Sequence, residues 1–160
     1  MSVEQRLLDS MVGEVCWHVS AGGVTSPSFV LAMGAKVPRT RPLKNPAQPE
    51  EFRLNRGSVE LLVWSSWRLQ DNDDVLATSD QCANGVAKLK SLIGLTLEAV
   101  RCAPPAWDLW LEYSSGRQLV TFSDHLEPGA SIASNWELWI AGTHIIAGPG
   151  TSLVEASTST

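Results

Sequence analysis

Between Trp107 and Tyr113 the odd-numbered positions are all apolar, while Asp108 and Glu112 share the other face with Trp110. A period of two marks a half-buried strand. Ser114-Ser115-Gly116-Arg117 supplies turn residues and 118–122 resumes β-prone sequence, which predicts an antiparallel hairpin. Residues 124–134 are polar, contain Pro128 and Gly129, and read as a loop before a third strand at 136–140.

Elsewhere the pattern is mixed. Ser2 is placed to cap a short helix with Gln5 at the capping-box position and Val3, Leu7, Leu8 and Met11 on one apolar face, ended by Gly13. Residues 15–19 and 28–33 read as a hairpin about Gly22-Gly23. A strand start is expected at 52–54, a break at Gly57, a clear strand at 59–64 and a short extended segment at 75–78. Val86, Leu89, Leu92 and Ile93 recur at helical spacing, so a helix is expected over 80–93, ended by Gly94 and followed by a strand at 95–101. Ile145-Ile146 is a brief strand, and 152–160 is expected to be a flexible tail.

The two halves rhyme. Gly13, strand, turn, strand, Gly57, strand and Ser66-Trp67-Arg68-Leu69 correspond in order to Gly94, strand, the Pro104-Pro105 loop, strand, Gly116, strand and Asn135-Trp136-Glu137-Leu138. The expected fold is therefore α+β and mostly antiparallel β. Two similar β-meander halves, residues 13–78 and 94–147, pack together in one domain over 1–151, with an N-terminal helix and one helix linking the halves. The main departure is an insertion at 36–51, where Pro38, Pro42, Pro46 and Pro49 alternate with Lys36, Arg39, Arg41 and Lys44. Proline at that density opposes helix and central strand, so an extended surface loop is expected.

Composition narrows function. Twelve basic against 17 acidic residues give a net charge of −5, which argues against a nucleic-acid partner. No apolar run reaches the roughly 20 residues of a membrane span, and the polar start lacks a secretory h-region. Cys16, Cys82 and Cys102 are scattered, which fits reduced thiols and a cytoplasmic setting. No metal-ligand spacing, nucleophile elbow or phosphate loop is present, so no catalytic residue, metal or cofactor is assigned. The 71–74 acidic turn fails the calcium-loop pattern, with Val75 and Leu76 where a ligand and a glycine are required.

Seven tryptophans in 160 residues are the one unusual resource. Trp110 and Trp139 share strand faces with carboxylates, and with Asp108, Glu112, Asp124 and His125 they form the candidate binding surface.

Ser66-Trp67-Arg68-Leu69, Leu92-Ile93-Gly94, Trp107-Asp108-Leu109-Trp110-Leu111-Glu112 and Asn135-Trp136-Glu137-Leu138 resemble a group of small bacterial proteins of unknown function. Their halves carry a strand, Gly, strand, Trp-x-Leu pattern, and some resemble immunity proteins of polymorphic toxin systems. The resemblance covers most of 57–140, is structural, and implies no catalytic residue. The insertion departs from it.

The sequence thus favours a non-catalytic protein-binding module, immunity-like, that acts by stoichiometric association with a protein; a homodimer is left open. The alternative is a sugar- or nucleotide-binding protein or enzyme with a cleft between the two β halves.

Overall fold

In the computed structural model, which describes residues 2–23, 25–127 and 134–158, alternating apolar residues build two antiparallel sheets. The first half supplies α1 (Val3–Asp9), β1 (Cys16–Ala21), β2 (Phe29–Pro38), α2 (Glu50–Leu54), β3 (Asn55–Val63), β4 (Ser66–Gln70) and β5 (Val75–Thr78). The second supplies α3 (Ala83–Lys88), β6 (Leu97–Ala103), β7 (Asp108–Tyr113), β8 (Gln118–Phe122), β9 (Trp136–Ile140), β10 (Thr143–Ala147) and β11 (Leu153–Ser157).

One sheet has the order β1-β2-β3-β9-β10-β11 and the other β5-β4-β8-β7-β6. Replacing β1, β2, β3, β9 and β10 by β6, β7, β8, β4 and β5 converts the first order into the second, leaving β11 over. The fold is thus α+β and mostly antiparallel β, with each half shared between the two sheets. Each half places three strands or more in one sheet and two or more in the other, and crosses between sheets once, at β3–β4 and at β8–β9.

The registers obey the same correspondence. Val19, Leu31, Leu61, Leu138 and Ile145 lie opposite one another across the first sheet, and Val100, Leu111, Leu119, Leu69 and Ala77 do so across the second. All ten are buried in one core shared by both sheets. The first strand of each half is irregular at the matching place, between Cys16 and His18 and between Leu97 and Ala99.

Where these two strands begin, they meet. Gly13 N–H donates to Leu97 O at 2.8 Å and Gly94 N–H to Cys16 O at 2.7 Å; Cys16 N–H donates to Leu95 O at 3.1 Å and Leu97 N–H to Glu14 O at 2.9 Å. Each bond is the counterpart of another, so a pseudo-twofold axis runs beside the Val15–Thr96 bridge. Tyr113 and Met33, themselves counterparts, touch across it, with the phenol Oη 3.3 Å from Sδ.

The helices also correspond. Leu8 in α1 and Met11 just beyond it, and Leu89 and Leu92 just beyond α3, are fully buried at matching distances before Gly13 and Gly94. Helix α1 packs on β6 and α3 on β1, each covering the other half's first strand. The repeated unit thus starts at a helix, so the N-terminal and linking helices are one element used twice.

Several expectations need correction. The linking helix over 80–93 is split into a 3-10 turn at Ser79–Gln81, α3, and a 3-10 turn at Leu89–Leu92; Cys82, at φ 50°, breaks it between the first turn and α3. Ser2 does cap α1, accepting Gln5 N–H at 3.2 Å, but the Gln5 amide turns away to Asp9 and the Val100 carbonyl. Leu153–Ser157, expected in a tail, pairs with β10. Gly57 does not break β3: a Cβ there would fall 2.6 Å from Val59 O and 2.7 Å from Met33 O, so only glycine lets the two strands stay this close.

The insertion is corrected most. A register shift between Met33 and Lys36 lets β2 continue to Pro38, opposite Asn55. Proline sits there at the last position of the strand, where its missing N–H costs no ladder bond. Residues 52–54, expected to start a strand, lie instead in α2. That helix buries Phe52, whose ring lies 4.2 Å from His18 and 4.8 Å from the Arg39 guanidinium. The loop expected over 124–134 includes residues 128–133, which lie outside the described ones.

Candidate functional site

The alternation that makes β7 a half-buried strand points Trp110 and Glu112 outward from the second sheet. The Arg101 guanidinium from β6 lies 5.0 Å from the Trp110 ring centroid and 3.6 Å from the Glu112 carboxylate. At 68% and 41% exposure that ion pair contributes little.

Asp108, Asp124 and His125 are taken up by the crossing from β8 to β9. The Asp108 carboxylate accepts Ser123 N–H at 2.7 Å, and Asp124 accepts the Ser66 hydroxyl and its N–H. His125 N–H donates to Asn135 Oδ1 at 2.8 Å, and its ring Nδ1 lies 2.9 Å from Ser134 O. Asn135, wholly buried, accepts Trp64 N–H at its carbonyl and donates its own N–H to Ala147 O. These bonds satisfy backbone groups that the crossing would otherwise strand in the core.

Trp139 faces away from the core on the first sheet. The six candidate residues are therefore divided between two opposite faces and a crossing. No cleft among the described residues gathers all six, because the interval between the sheets is filled by the common core.

Around Trp139 the structure assembles side chains that the sequence analysis did not join. The two-residue Ala141-Gly142 turn, with φ of 51° and 76°, places Glu137, Trp139 and His144 on one face. The His144 ring stacks on Trp139 at 4.4 Å, and its Nε2 lies 3.0 Å from Glu137 Oε1. Trp64 Nε1 at 3.1 Å and Ser134 Oγ at 3.3 Å donate to Glu137 Oε2. Both carboxylate oxygens are thereby engaged, which holds imidazole and indole in place. The sequence signal was weak, since 138–140 and 145–147 are apolar throughout and hide which side chains share a face.

Beside Trp139 opens a recess of about 720 Å³. Its walls are the extended ends of β2 and β3, the β9–β10 turn, and Thr158 beyond β11. Arg39, Arg41 and Arg56 line it together with Trp139 and the hydroxyl residues Thr40, Ser58, Thr143 and Thr158. No carboxylate is among the described residues that line it. Arg39 is held from behind: its Nε donates to Phe52 O at 3.0 Å and its guanidinium lies 3.6 Å from Glu60, both side chains about 15% exposed. Burial raises the Glu60 pKa above its ordinary value, against the Gly57 N–H bond and the Arg39 and Arg56 charges that lower it. Arg41 and Arg56 are exposed and have no carboxylate partner among the described residues.

The sequence analysis saw the insertion's cations as a solvated loop. What it lacked was the register shift that carries β2 past Lys36 and brings Arg39 and Arg41 alongside Arg56 and the β9–β10 turn.

Cys16 and Cys102 are unsuited to nucleophilic chemistry at neutral pH. All three thiols are free, and burial pushes Cys16 and Cys102 up to about 12. Among the described residues no three His, Cys, Asp or Glu side chains converge on a metal position, and no helix is long and apolar enough to cross a membrane. No family model, curated protein or solved structure matches the chain.

Proposed function

We propose that this chain is a non-catalytic binding module that acts by stoichiometric association, and that it engages its partner at the arginine-lined recess. The observation that carries this reading is the pair of cations without an ion-pair partner among the described residues, Arg41 and Arg56, beside a concave surface that no described carboxylate lines, in a chain of net charge −5. Uncompensated like charges facing one recess repel each other, and an anionic group placed between them relieves that repulsion while gaining charge-assisted hydrogen bonds. A net charge of −5 leaves a basic protein surface as a possible partner for the chain as a whole, whereas the local field at the recess calls for an acidic one.

A protein partner is the reading the sequence favours, and the resemblance to immunity proteins, which neutralise a toxin by masking it, supports the same kind of association. Co-expression with the products of neighbouring genes tests it. A one-to-one complex is expected by size exclusion with light scattering, and R41E/R56E should dissociate it while R101E, on the opposite face, should not. Recovery of the chain alone in every combination, or a complex indifferent to R41E/R56E, overturns the proposal.

A further inference from the structure

The recess constrains the chemistry of what it holds. Arg39 is paired with Glu60 at 3.6 Å, whereas Arg41 and Arg56 make no ion pair among the described residues, Glu60 acting on Arg56 only from beyond contact distance. A lone carboxylate takes one guanidinium fork in a bidentate pair and leaves the second cation unmatched. A phosphate monoester near neutral pH carries about −1.5 to −2 charges and three terminal oxygens that accept hydrogen bonds. Two forks and flanking hydroxyls such as Thr143 and Thr158 match that number of acceptors. The volume of about 720 Å³ exceeds what a bare phosphate fills and lies within the range of small-ligand sites, so the phosphoryl group has room to arrive on an organic carrier, with the Trp139 side of the recess as its apolar wall.

Resting on the reading of this recess as the binding site, we infer that it is a phosphate-monoester site, in which Arg41 and Arg56 hold the phosphoryl oxygens. The carrier is either a small phosphorylated molecule or a phosphorylated side chain of a protein partner, and the two present the same dianion to the same arginines.

Calorimetric titration and thermal shift at low salt separate these cases. The probes are O-phosphoserine, a phosphoserine peptide, the same peptide unphosphorylated, and succinate, which carries two charges without a phosphoryl group. Both phosphorylated probes are expected to bind at least about tenfold more tightly than succinate and to raise the melting temperature by mass action. R41A and R56A should each weaken them about tenfold without moving the melting temperature of the free protein, since both side chains are exposed. R101A should change neither quantity. Equal affinity for both phosphorylated probes supports the site with a small-molecule carrier; a preference for the peptide supports it with a protein carrier. Binding of succinate as strong as that of the phosphorylated probes, or phosphorylated-probe binding unaffected by R41A and R56A, overturns the inference. If all four probes fail while the co-expressed complex remains sensitive to R41E/R56E, the phosphoryl assignment falls and the binding module stands.

Discussion

The far end of the β4–β5 hairpin and the far end of the β9–β10 hairpin are counterparts under the pseudo-twofold, yet they carry opposite charge. The first is the turn Asp71-Asn72-Asp73-Asp74, where the Asp71 carboxylate accepts the N–H groups of Asp73 at 2.9 Å and Asp74 at 2.8 Å. Those bonds, the one from Asp73 foremost, lower the Asp71 pKa. The second is the Ala141-Gly142 turn, which borders the recess with its three arginines. The difference comes from the neighbouring connections. Strands β7 and β8 are joined by residues 114–117, whereas β2 and β3 run further out and are joined through residues 39–54, which deliver Arg39 and Arg41. The core is repeated because two copies must fill one interior. The connections face solvent, are free to diverge, and carry whatever distinguishes the halves.

If the core is equivalent in both halves, equivalent deletions should cost the same. Trp67 and Trp136 are each 1% exposed, and their indole N–H groups donate to Pro27 O at 2.8 Å and Trp107 O at 2.7 Å, matching carbonyls just before β2 and β7. Trp67→Ala and Trp136→Ala should each lose about 3–5 kcal/mol in urea unfolding. A loss under about 1 kcal/mol at either site, the size of an ordinary substitution, would break the correspondence.

A smaller and more symmetrical effect is expected at the two glycines beside the axis. Gly13 and Gly94 have φ of 96° and 88°, and a Cβ would meet nothing within 4 Å at either. Substitution by alanine therefore feels the backbone conformation alone, and should cost about 1–2 kcal/mol at each. Thermal melts of G13A and G94A that differ widely would show that one of the junctions is supported differently.

The smallest effect sharpens the asymmetry. His18 lies beneath the insertion, with Nε2 3.2 Å from Gln48 Oε1, whereas its counterpart in β6 is Ala99. Burial lowers the His18 pKa below 6.5; the Gln48 bond and Glu51 oppose this, and Lys90 and Arg39 assist it. The unfolded chain then binds more protons than the folded one between the folded pKa and 6.5, so stability falls as pH drops through that window. Glu60 acts with the opposite sign at lower pH: its pKa is raised from 4.5, so its ionisation weakens the fold as pH rises through the folded value. Urea midpoints between about pH 7.5 and 5.5 should decline in the parent chain and flatten in His18→Gln. An unchanged decline would place the sensitivity elsewhere.

Much of the fold was legible because the core alternates. Leu109, Leu111 and Tyr113 are buried and Trp110 and Glu112 are not, as a period of two demands. The order of strands in each half and the Trp-x-Leu correspondence were legible for the same reason. The candidate surface was less so. Trp110 and Trp139 look alike in sequence, each on the polar face of a strand, but the crossings at Ser65 and Asn135 send β7 and β9 to different sheets. Nothing in a strand's own pattern records which sheet it joins.

From sequence alone came the faces of most core strands and the likeness of the halves, since both follow from which side chains avoid water at fixed spacing along a single chain. The tertiary structure alone decided that the halves exchange strands, that α1 and α3 cover each other's first strand, and that Arg39, Arg41 and Arg56 meet Trp139. Those outcomes depend on register and crossing, which are set by the mutual packing of segments far apart in the chain.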